Sequence, residues 1–344
     1  MQQSRPKIAI IGTGMAGLAS AVALHGHADV SLFDKSRGLG GRMATRRSEL
    51  AAFDHGVSRF SADADFAAFL EPLTAAGSVL AWSPNTVRLS PQGAITQTLP
   101  ARRQWVASPG MSSLGRAVLA HYQFDAVHLG AAVGALERQA DHRYRLHAEG
   151  QIYENFDRVI LAMPPAQAAA LLPQGAMRQA CESVAMQPCH TLMLAPQLEL
   201  ETASTPEDAP EWDVALVDDP MLELIIANHR KPGRERQRAF VVQTQHQWSA
   251  EHIDVPAAEL GALIQARLFD LFGDTLGLSP KALAYHSCHR WLYAAAAKPL
   301  PNPQGFLFDA TGGLGVAGDW CLGTRVRHGF ASGTALAAAV KTSL

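Results

Sequence analysis

The apolar positions of the chain predict strands that alternate with helices near both of its ends. The run Lys7–Ile11 is apolar and rich in β-branched residues, as expected of a strand that is buried on both faces of a sheet. Small helix-forming residues follow over Met15–His25, and a second apolar run, 29–34, ends at an aspartate. Farther along, a strand over Leu314–Ala317 precedes a helix from about Val326. This alternation is typical of a parallel sheet with helices on its faces.

The middle of the chain has a different pattern. Residues 124–153 alternate between apolar and polar, which predicts a β-meander, whereas a strand over Asp157–Pro165 and a helix over 166–172 return to the first pattern. From about Ser183 to Tyr293 we predict longer antiparallel strands with one amphipathic helix, Ala257–Phe272. These strands are predicted at 191–200, 221–229 and 239–248, and proline-rich loops at 204–211 and 298–303.

Together the patterns predict an α/β protein in which an antiparallel-sheet α+β substrate domain is inserted into a Rossmann-like dinucleotide-binding domain. We expect the dinucleotide-binding domain to comprise residues 1–75, 100–182 and 294–344. The substrate domain would comprise residues 76–99 and 183–293. A chain of 344 residues is long for a single hydrophobic core, so two intertwined domains are the natural expectation.

Composition limits the kinds of partner. The chain is 48% hydrophobic and 17% charged, which is the balance of an ordered globular protein. Its net charge of −2 gives no electrostatic footprint for nucleic acid or for an anionic membrane. No apolar run approaches the roughly 20 residues of a membrane-spanning helix. We interpret the basic run Arg230–Ala239 as a solvated hairpin loop and not as a binding patch.

The four cysteines are widely scattered and form no C-x-x-C pair. The segment Tyr285–Trp291 holds two histidines and a cysteine, but partners at ligand spacing are missing elsewhere in the sequence, so we expect no metal site. A chain of this size needs no disulfides to fold, and free thiols are typical of a reducing compartment. We therefore expect a cytoplasmic protein.

The stretch IGTGMAG, residues 11–17, has three interpretations: a phosphate-binding turn, the apolar centre of a signal peptide, or chance. Its three glycines fit a signal peptide poorly. Chance must be considered because the chain has 28 glycines, and a second G-x-G-x-x-G match does start at Gly313. That second match runs directly into Asp319 and is followed by no further acidic residue, so it lacks the context of a dinucleotide site. The first match lies between a strand and a helix, where Gly12 allows the tight turn, Gly14 lets the backbone approach a pyrophosphate, and Gly17 lets helix pack on strand. We therefore predict a dinucleotide site at the start of the first helix.

The residues after the second strand favour FAD over NAD. Asp34 ends that strand about twenty residues after the glycines, where a carboxylate can accept both ribose hydroxyls. A further glycine pair, Gly40 and Gly41, precedes Arg42 and Met43. NAD needs no second glycine turn, whereas a longer cofactor that reaches deeper into the protein would use one. Arg42 would then contact its pyrophosphate or its flavin end.

The strand near the C-terminus also ends at a glycine and an acid, Gly318 and Asp319. An acid at this point can hydrogen-bond a ribityl hydroxyl or help to order the pyrophosphate. The helix that starts near Val326 would direct its positive end toward the flavin edge that becomes negative on reduction. Small residues along this helix would let it approach another backbone closely, namely Gly329, Ser332, Gly333 and Ala337.

With these residues placed, the chain resembles the bacterial renalases, compact members of the flavin amine-oxidase superfamily. The resemblance follows nearly the whole chain in order and is carried by the stretches IAIIGTGMAGL, LFDKSRGLGGRM, FDHG, QWVASPGM, DRVILAMPPAQ, NHRKPGR, QWS, HRWLYA and GDWCLGTRV. It implies a two-domain fold like that of p-hydroxybenzoate hydroxylase, with non-covalent FAD. It also implies an oxidase that returns the 2- and 6-dihydro isomers of NAD(P) to NAD(P)⁺ and passes the electrons to O2, giving H2O2.

The resemblance also implies roles for individual residues. Val133 would meet the adenine through its backbone, and Asp319 with the helix start at Arg325 would hold the flavin end. The predicted cofactor-binding residues are Gly12, Gly14, Met15, Ala16, Gly17, Asp34, Lys35, Gly40, Gly41, Arg42, Met43, Gly56, Val133, Gly318, Asp319, Arg325 and Val326. The segment after the D-x-G motif would face the substrate. The predicted substrate-binding residues are Val57, Ser58, Arg59, Phe60, Trp105 and Trp291, with the three aromatic side chains shaping a slot.

Two pairs of residues depart from the renalase pattern. Members of the family carry an uncharged Gln-Tyr pair where this chain has Ser58 and Arg59, and Glu-Gly where it has Arg327 and His328. The added cationic side chains near the flavin would favour an anionic group on the substrate and could change which substrate is used. Hydride transfer from a dihydronicotinamide needs no general base, so we assign no catalytic residue.

Two other functions remain open. An amine oxidase would need an aromatic cage and a lysine-held water near the flavin, and Lys298 is the one lysine between Lys281 and Lys341, in a loop-like stretch. A non-catalytic flavin-binding protein is the third possibility. As partners we expect a dihydronicotinamide dinucleotide and O2, with no nucleic acid and no membrane, and a chain that is a monomer or a weak homodimer.

Overall fold

The computed structural model describes residues 5–197, 210–234 and 237–344. Its helices are α1 Met15–Leu24, α2 Ala64–Ala75, α3 Ser113–Tyr122, α4 Pro165–Leu171, α5 Ala176–Glu182, α6 His246–Glu251, α7 Ala257–Leu276 and α8 Val326–Thr342. Its strands are β1 Lys7–Ile11, β2 Asp29–Asp34, β3 Arg46–Arg47, β4 Ala52–Phe53, β5 Val79–Trp82, β6 Thr86–Leu89, β7 Ile95–Thr98, β8 Gln104–Ala107, β9 Val127–Leu129, β10 Val133–Arg138, β11 Tyr144–Ala148, β12 Gln151–Phe156, β13 Arg158–Leu161, β14 Met186–Pro196, β15 Val214–Val217, β16 Leu222–Ala227, β17 Phe240–Thr244, β18 Leu283–Ala296, β19 Leu307–Asp309 and β20 Leu314–Val316.

A six-stranded sheet has the order β19-β20-β13-β1-β2-β9. β1 pairs in parallel with β2 and β13, β9 and β20 extend the parallel sheet on either side, and β19 pairs antiparallel at the edge. β1 is buried from Ile8 to Ile11, in agreement with its apolar run. The carboxyl ends of β1, β2 and β20 lie at one edge of this sheet, which is where open α/β sheets bind their ligands. The predicted Rossmann-like α/β fold is confirmed.

A second sheet, of seven strands, has the order β18-β14-β17-β16-β15-β6-β7. Its pairs are antiparallel except for β15 with β6. α7 packs on one face of the sheet through a stripe of fully buried residues that recur every four positions, namely Leu260, Ile264, Leu268, Phe272 and Leu276. This is the antiparallel sheet with one long helix that the sequence predicts, inserted between strands of the parallel sheet.

The prediction of a strand over 239–248 is wrong at its C-terminal end, because β17 ends at Thr244 and the chain continues as α6 from His246. The hydroxyl of Ser249 donates to the carbonyl of Gln245, one turn earlier, at 2.8 Å. Trp248 stacks on His252 with ring centroids 4.1 Å apart. These contacts between residues four apart stabilise a helix, and they override the alternation of apolar and polar residues that predicts a strand.

Two further expectations need revision or stay open. The predicted meander begins at β10, since β9 joins the parallel sheet and the meander consists of β10, β11 and β12. The predicted strand 191–200 is present as β14 to Pro196, but residues 198–200 and most of the predicted loop 204–211 lie outside the described residues. β5 lies in the predicted substrate domain, but it pairs with β8, which lies in the predicted dinucleotide-binding domain. The domain bounds therefore stay a prediction.

Helix α8 packs closely against α1. A Cβ atom on Gly333 would lie 2.1 Å from the carbonyl oxygen of Ala16, and the hydroxyl of Ser20 donates to the carbonyl of Gly333 at 3.0 Å. Gly333, one of the small residues predicted to allow close approach, therefore lies directly against α1. Among the described residues, no helix is both long and apolar enough to cross a membrane.

Candidate functional site

The first glycine turn lies at the carboxyl end of β1, where the chain enters α1. Gly12 has φ +108°, and a Cβ atom there would lie 2.2 Å from the carbonyl oxygen of Ala162. A Cβ on Gly17 would lie 1.9 Å from the carbonyl oxygen of Gly12, so helix and turn can touch only through glycine. At Gly14, the N-cap of α1, no described atom lies within 4 Å of the Cβ position. Open space at a helix N-terminus fits the pyrophosphate of a dinucleotide.

Asp34 is buried beside this turn at the end of β2. Its Oδ2 accepts hydrogen bonds from the amide and the hydroxyl of Thr13, at 2.9 and 2.6 Å, and its Oδ1 accepts one from the amide of Ser36 at 2.8 Å. The carboxylate therefore orders the glycine turn. Oδ1 keeps a second acceptor position that is able to take a ribose hydroxyl.

The chain passes Asp34 again just before β10. The amide of Ala131 donates to the carbonyl of Asp34, and that of Gly130 to the carbonyl of Ser36, each at 2.9 Å. Val133, half-buried, lies two residues beyond Ala131. Its backbone is therefore close to the ribose position, as its predicted contact with adenine requires. Lys35 is exposed.

The second glycine pair brings a loop against the first turn. Gly40 and Gly41 have φ values of +100° and +55°, and the Cβ position of Gly41 lies 3.4 Å from the Cα of Gly14. The amide of Gly40 donates to the carbonyl of Thr13 at 3.1 Å. Met43, which follows in this loop, is buried. The two glycine turns therefore form one continuous backbone surface, as a long dinucleotide needs.

Arg42 joins this loop to the C-terminal part of the chain. Its Nη2 donates to Oδ1 of Asp319 at 2.5 Å, and its Nη1 donates to the carbonyl of Ala294 at 2.8 Å. Asp319 is buried and follows Gly318 just after β20. The ion pair therefore brings together the residues predicted to hold the pyrophosphate and the flavin end.

Helix α8 begins beside this ion pair, and its first turns lie on the start of α1. The Cβ position of Gly329 is 3.5 Å from Cβ of Met15 and 3.6 Å from the amide nitrogen of Ala16. The positive ends of two helices thus meet at the glycine turn, where they favour a negative group. Arg325, the N-cap of α8, is exposed, and its amide donates to Nδ1 of His328 at 3.3 Å. Val326 is half-buried, and Arg327 is exposed.

The segment after β4 lies on the second glycine loop. The amide of Val57 donates to the carbonyl of Arg42 at 2.8 Å, and a Cβ on Gly56 would lie 2.0 Å from that same oxygen. From the seven-stranded sheet, the side-chain amide of Gln243 donates to the carbonyl of Gly56 at 2.9 Å. Residues 57–60, predicted to bind substrate, are therefore held between the glycine loop and the second sheet.

Of the three predicted slot aromatics, two are brought together. Phe60 and Trp105 are buried and exchange backbone hydrogen bonds of 3.0 and 2.8 Å, and Phe60 also stacks on Phe66. Trp291 instead stacks on His55, with ring centroids 5.2 Å apart, and donates its Nε1 to the carbonyl of His55 at 2.9 Å. Trp291 also lies against Gly56, so it borders the same segment from its other end.

His55 is a residue of this site that the sequence reasoning missed. Its Nδ1 is buried and has no hydrogen-bond partner among the described residues. Burial, reinforced by the neighbouring His289 and Arg46, lowers the pKa of His55 to about 4. The imidazole is therefore neutral at neutral pH. The available signal was its position in the FDHG stretch, directly before Gly56.

Arg59 is the second unusual residue of the segment. Its Nε is enclosed and without a hydrogen-bond partner in the part of the chain that is described, while its Nη1 donates to the hydroxyl of Ser58 at 3.2 Å. Burial lowers the pKa of Arg59 to about 10, with a further contribution from the positive charge of Arg325. Arg59 is therefore still charged at neutral pH.

A buried ionic cluster centred on Asp54 lies at the base of the segment. Oδ2 of Asp54 accepts from Nζ of Lys231 at 2.9 Å and from Nη2 of Arg234 at 2.7 Å. Oδ1 accepts from the hydroxyl of Thr45 at 2.8 Å and from the amide of Met111 at 2.9 Å. The side chains of Asp54 and Lys231 are fully buried, and that of Arg234 is 3% exposed. One carboxylate thus faces two buried cations and lies just before the segment of residues 56–60 that packs on the glycine loop.

This cluster corrects the interpretation of the basic run Arg230–Ala239 as a solvated loop. Two of its cationic side chains, Lys231 and Arg234, point into the protein because Asp54 and the side-chain oxygen of Asn228 receive them there. Burial lowers the pKa of Lys231 to about 8, since the charge of Arg234 adds to the burial effect and both outweigh Asp54. Residues 235 and 236 lie outside the described residues.

The cluster predicts a loss of stability in acid. Burial opposes ionisation of Asp54, but Lys231 and Arg234 outweigh it and lower its pKa from 3.8 to about 2. The unfolded chain therefore binds a proton at a higher pH than the folded chain. Between about pH 4 and pH 2, protonation should remove about 2 kcal/mol of folding free energy. Urea unfolding of the parent and Asp54→Asn across this range should show the difference between them shrinking; parallel pH profiles would contradict the assignment.

Comparison with known proteins places this geometry in a family. The chain matches the family described as flavin containing amine oxidoreductase over residues 94–341, and an NAD(P)-binding Rossmann-like domain over residues 10–73. Its structure is similar to a putative protoporphyrinogen oxidase from Exiguobacterium sp. 255-15, with a TM-score of 0.74 at 15% identity over 99% of this chain and 100% of that chain.

Two solved amine oxidases are similar in the same way. For cyclohexylamine oxidase from Brevibacterium oxydans IH-35A the TM-score is 0.72 at 14% identity, over 98% of this chain and 99% of that chain. For wild-type putrescine oxidase bound to putrescine it is 0.66 at 13% identity, over 98% of each chain. Similarity at 13–15% identity shows only the fold. The match to the family covers residues 94–341, most of the sequence, and therefore shows the family. The glycine cradle, the two helix starts and the Arg42–Asp319 pair fit the cofactor of that family. The chain belongs to the flavin containing amine oxidoreductase family and is an FAD-dependent oxidoreductase.

Proposed function

We propose that the protein is an oxidase of the 2- and 6-dihydro isomers of NAD(P). The substrate gives up a hydride and becomes NAD(P)⁺, and the two electrons, with that hydrogen and one proton, convert O2 to H2O2. FAD, when bound, supplies the hydride acceptor and the route of the electrons to O2. The resemblance to bacterial renalases along nearly the whole chain supports this substrate class.

The observation that carries the proposal is the positive charge of the predicted substrate wall. Arg59 and Arg325 interact electrostatically, and neither has a carboxylate partner among the described residues. Asp54 binds Lys231 and Arg234, and Asp319 binds Arg42. Asp63 caps α2 through the amide of Phe66 and forms no ion pair with Arg59. Such a wall attracts an anionic dinucleotide and repels the ammonium group that most amines carry at neutral pH.

Orientation should dominate the rate enhancement. An enzyme must lower the barrier by at least about 8 kcal/mol. A helix N-terminus contributes at most about 2 kcal/mol, whereas holding the reactants in place can contribute about 7–11 kcal/mol. In this proposal Phe60 and Trp105 form a buried wall that excludes water, Trp291 limits the other end of the segment, and Arg59 orients the substrate. No side chain need remove a proton, which agrees with the low pKa of His55, about 4, since that pKa makes its imidazole a weak base.

Amine oxidation is the alternative, and two lysine positions weigh against it. Lys298, the lysine considered for a water near the flavin, is exposed. Lys231 is buried, but its Nζ is bound by Asp54 and by Asn228. Neither therefore offers a free, buried amine beside the substrate segment. We also propose a cytoplasmic location, supported by the four free cysteines, and a monomer or weak homodimer.

Anaerobic stopped-flow reduction tests the proposal. The flavin absorbance should bleach rapidly with 2- or 6-dihydro-NAD(P) and slowly or not at all with a panel of primary and secondary amines. Re-admission of O2 should restore the absorbance and release one H2O2 for each NAD(P)⁺. Bleaching by amines alone would establish the amine oxidase instead, and no bleaching by either panel would favour a non-catalytic flavin protein.

A further inference from the structure

Arg59 is half-buried and has no carboxylate partner among the described residues. Its Nε is enclosed and unbonded among the described residues, and the hydroxyl of Ser58 is a neutral acceptor at 3.2 Å. Asp63, the acid nearest in sequence, caps α2 by accepting from the amide of Phe66 at 3.1 Å and forms no ion pair with Arg59. Asp54, on the other side, already accepts from two cations, a hydroxyl and an amide. Enclosing part of a charged side chain without a counter-charge is costly, so a half-buried guanidinium that serves the fold alone would be expected to have a carboxylate beside it.

The surroundings of Arg59 add positive charge. Arg325, at the start of α8, and Lys231, in the buried cluster, both interact with it electrostatically. The backbone two residues before Arg59 is fixed on Arg42 by the amide of Val57. The ring of Phe60, the next residue, stacks on Phe66, which in turn stacks on Phe330 of α8. The segment that carries Arg59 therefore lies between the glycine loop and α8. A planar guanidinium in such a place binds phosphate oxygens in pairs.

We propose that Arg59, together with Arg325, is a specificity-determining pair that binds a phosphate group of the substrate beside its nicotinamide ring. This inference rests on the proposed function for the identity of the ring, but the phosphate site itself does not depend on turnover. A substrate without a phosphate at this position should leave Arg59 unpaired, and it should bind correspondingly less well.

Binding of oxidised nicotinamide compounds to the flavin-loaded protein tests this directly. Nicotinamide mononucleotide carries one phosphate and nicotinamide riboside carries none, and each can be titrated while the flavin absorbance is followed. The parent should prefer the mononucleotide by about 10–100-fold, the range expected of a charge-assisted hydrogen-bonded pair. In Arg59→Gln that preference should fall to about threefold or less, with the affinity for the riboside unchanged.

A matched variant separates a local effect from a change in net charge. Arg88→Gln removes the same charge from an exposed position on β6 and should keep the parent's preference. Thermal unfolding gives a second readout. If Arg59 served the fold, Arg59→Gln would lower the melting temperature. If Arg59 serves to bind an anionic ligand, removing its unpaired charge should leave the melting temperature unchanged or raise it by about 2–4 °C.

An unchanged preference in Arg59→Gln, or equal affinities of the parent for the two compounds, would overturn the phosphate site. Flavin content of the variant should equal that of the parent, since Arg59 is not among the residues of the cradle. If dihydronicotinamides fail to reduce the flavin while the phosphate preference still depends on Arg59, the proposed function fails and the anion site is supported.

Discussion

Replacing Asp54 with asparagine should lower the free energy of unfolding by about 3–5 kcal/mol. The substitution keeps the size of the side chain but removes the one negative charge of the buried cluster. Lys231 and Arg234 then remain side by side in the interior without a counter-charge. Urea unfolding of the flavin-loaded protein, followed by circular dichroism, measures the loss through a lower midpoint at an unchanged slope.

Lys231→Met is the matched control for Asp54→Asn. It removes one of the two cations, so that Asp54 and Arg234 remain as a balanced pair. Its cost should be no more than about 2 kcal/mol, because no unpaired charge is left behind. Equal losses in the two variants would show that packing, and not charge balance, governs the cluster.

Replacing Gly14 with alanine should reduce the affinity for FAD at least tenfold, or about 1.4 kcal/mol, without destabilising the apoprotein. The Cβ atom would enter open space in the described structure, so it clashes with no protein atom there. The predicted position of the pyrophosphate is in the same space, so the added Cβ atom would displace the cofactor. Flavin content after purification and titration of the apoprotein with FAD give the two measurements.

Gly12→Ala provides the contrast on the same turn. Its Cβ would lie 2.2 Å from the carbonyl oxygen of Ala162, at a backbone φ of +108°. Alanine is strained in that conformation, so the apoprotein itself should lose more than about 2 kcal/mol of stability. A Gly14→Ala protein that is purified as yellow as the parent would contradict the placement of the pyrophosphate.

The parts of the fold that sequence patterns predicted are those whose cause is local. The strand Lys7–Ile11, the turn at Gly12 and the helix from Met15 follow one another within twenty residues, and each is encoded by its own residues. The same holds for Asp34 at the end of its strand and for Gly318 and Asp319 after β20. Their meeting at one edge follows from the parallel order of the strands.

The cluster at Asp54 could not be predicted in this way. Its partners Lys231 and Arg234 are 177 and 180 residues away in sequence, and a run of basic residues looks solvated until the acid that receives it is known. The unpaired state of Arg59 likewise depends on which distant acids are already engaged. The neighbour of Trp291 was not predictable either, since its ring stacks on His55, 236 residues away in sequence, and not on Phe60 or Trp105.

The contact of α8 with α1 has a consequence for the order of events during translation. Ser20 and Gly333 are hydrogen-bonded although 313 residues separate them. β20 is likewise the neighbour of β13 in the parallel sheet. The glycine turn at residues 12–17 leaves the ribosome before the helix that covers it, which emerges more than three hundred residues later. Flavin loading must therefore wait until residues 314–342 have been synthesised, and until then the exposed face of α1 is a target for chaperones.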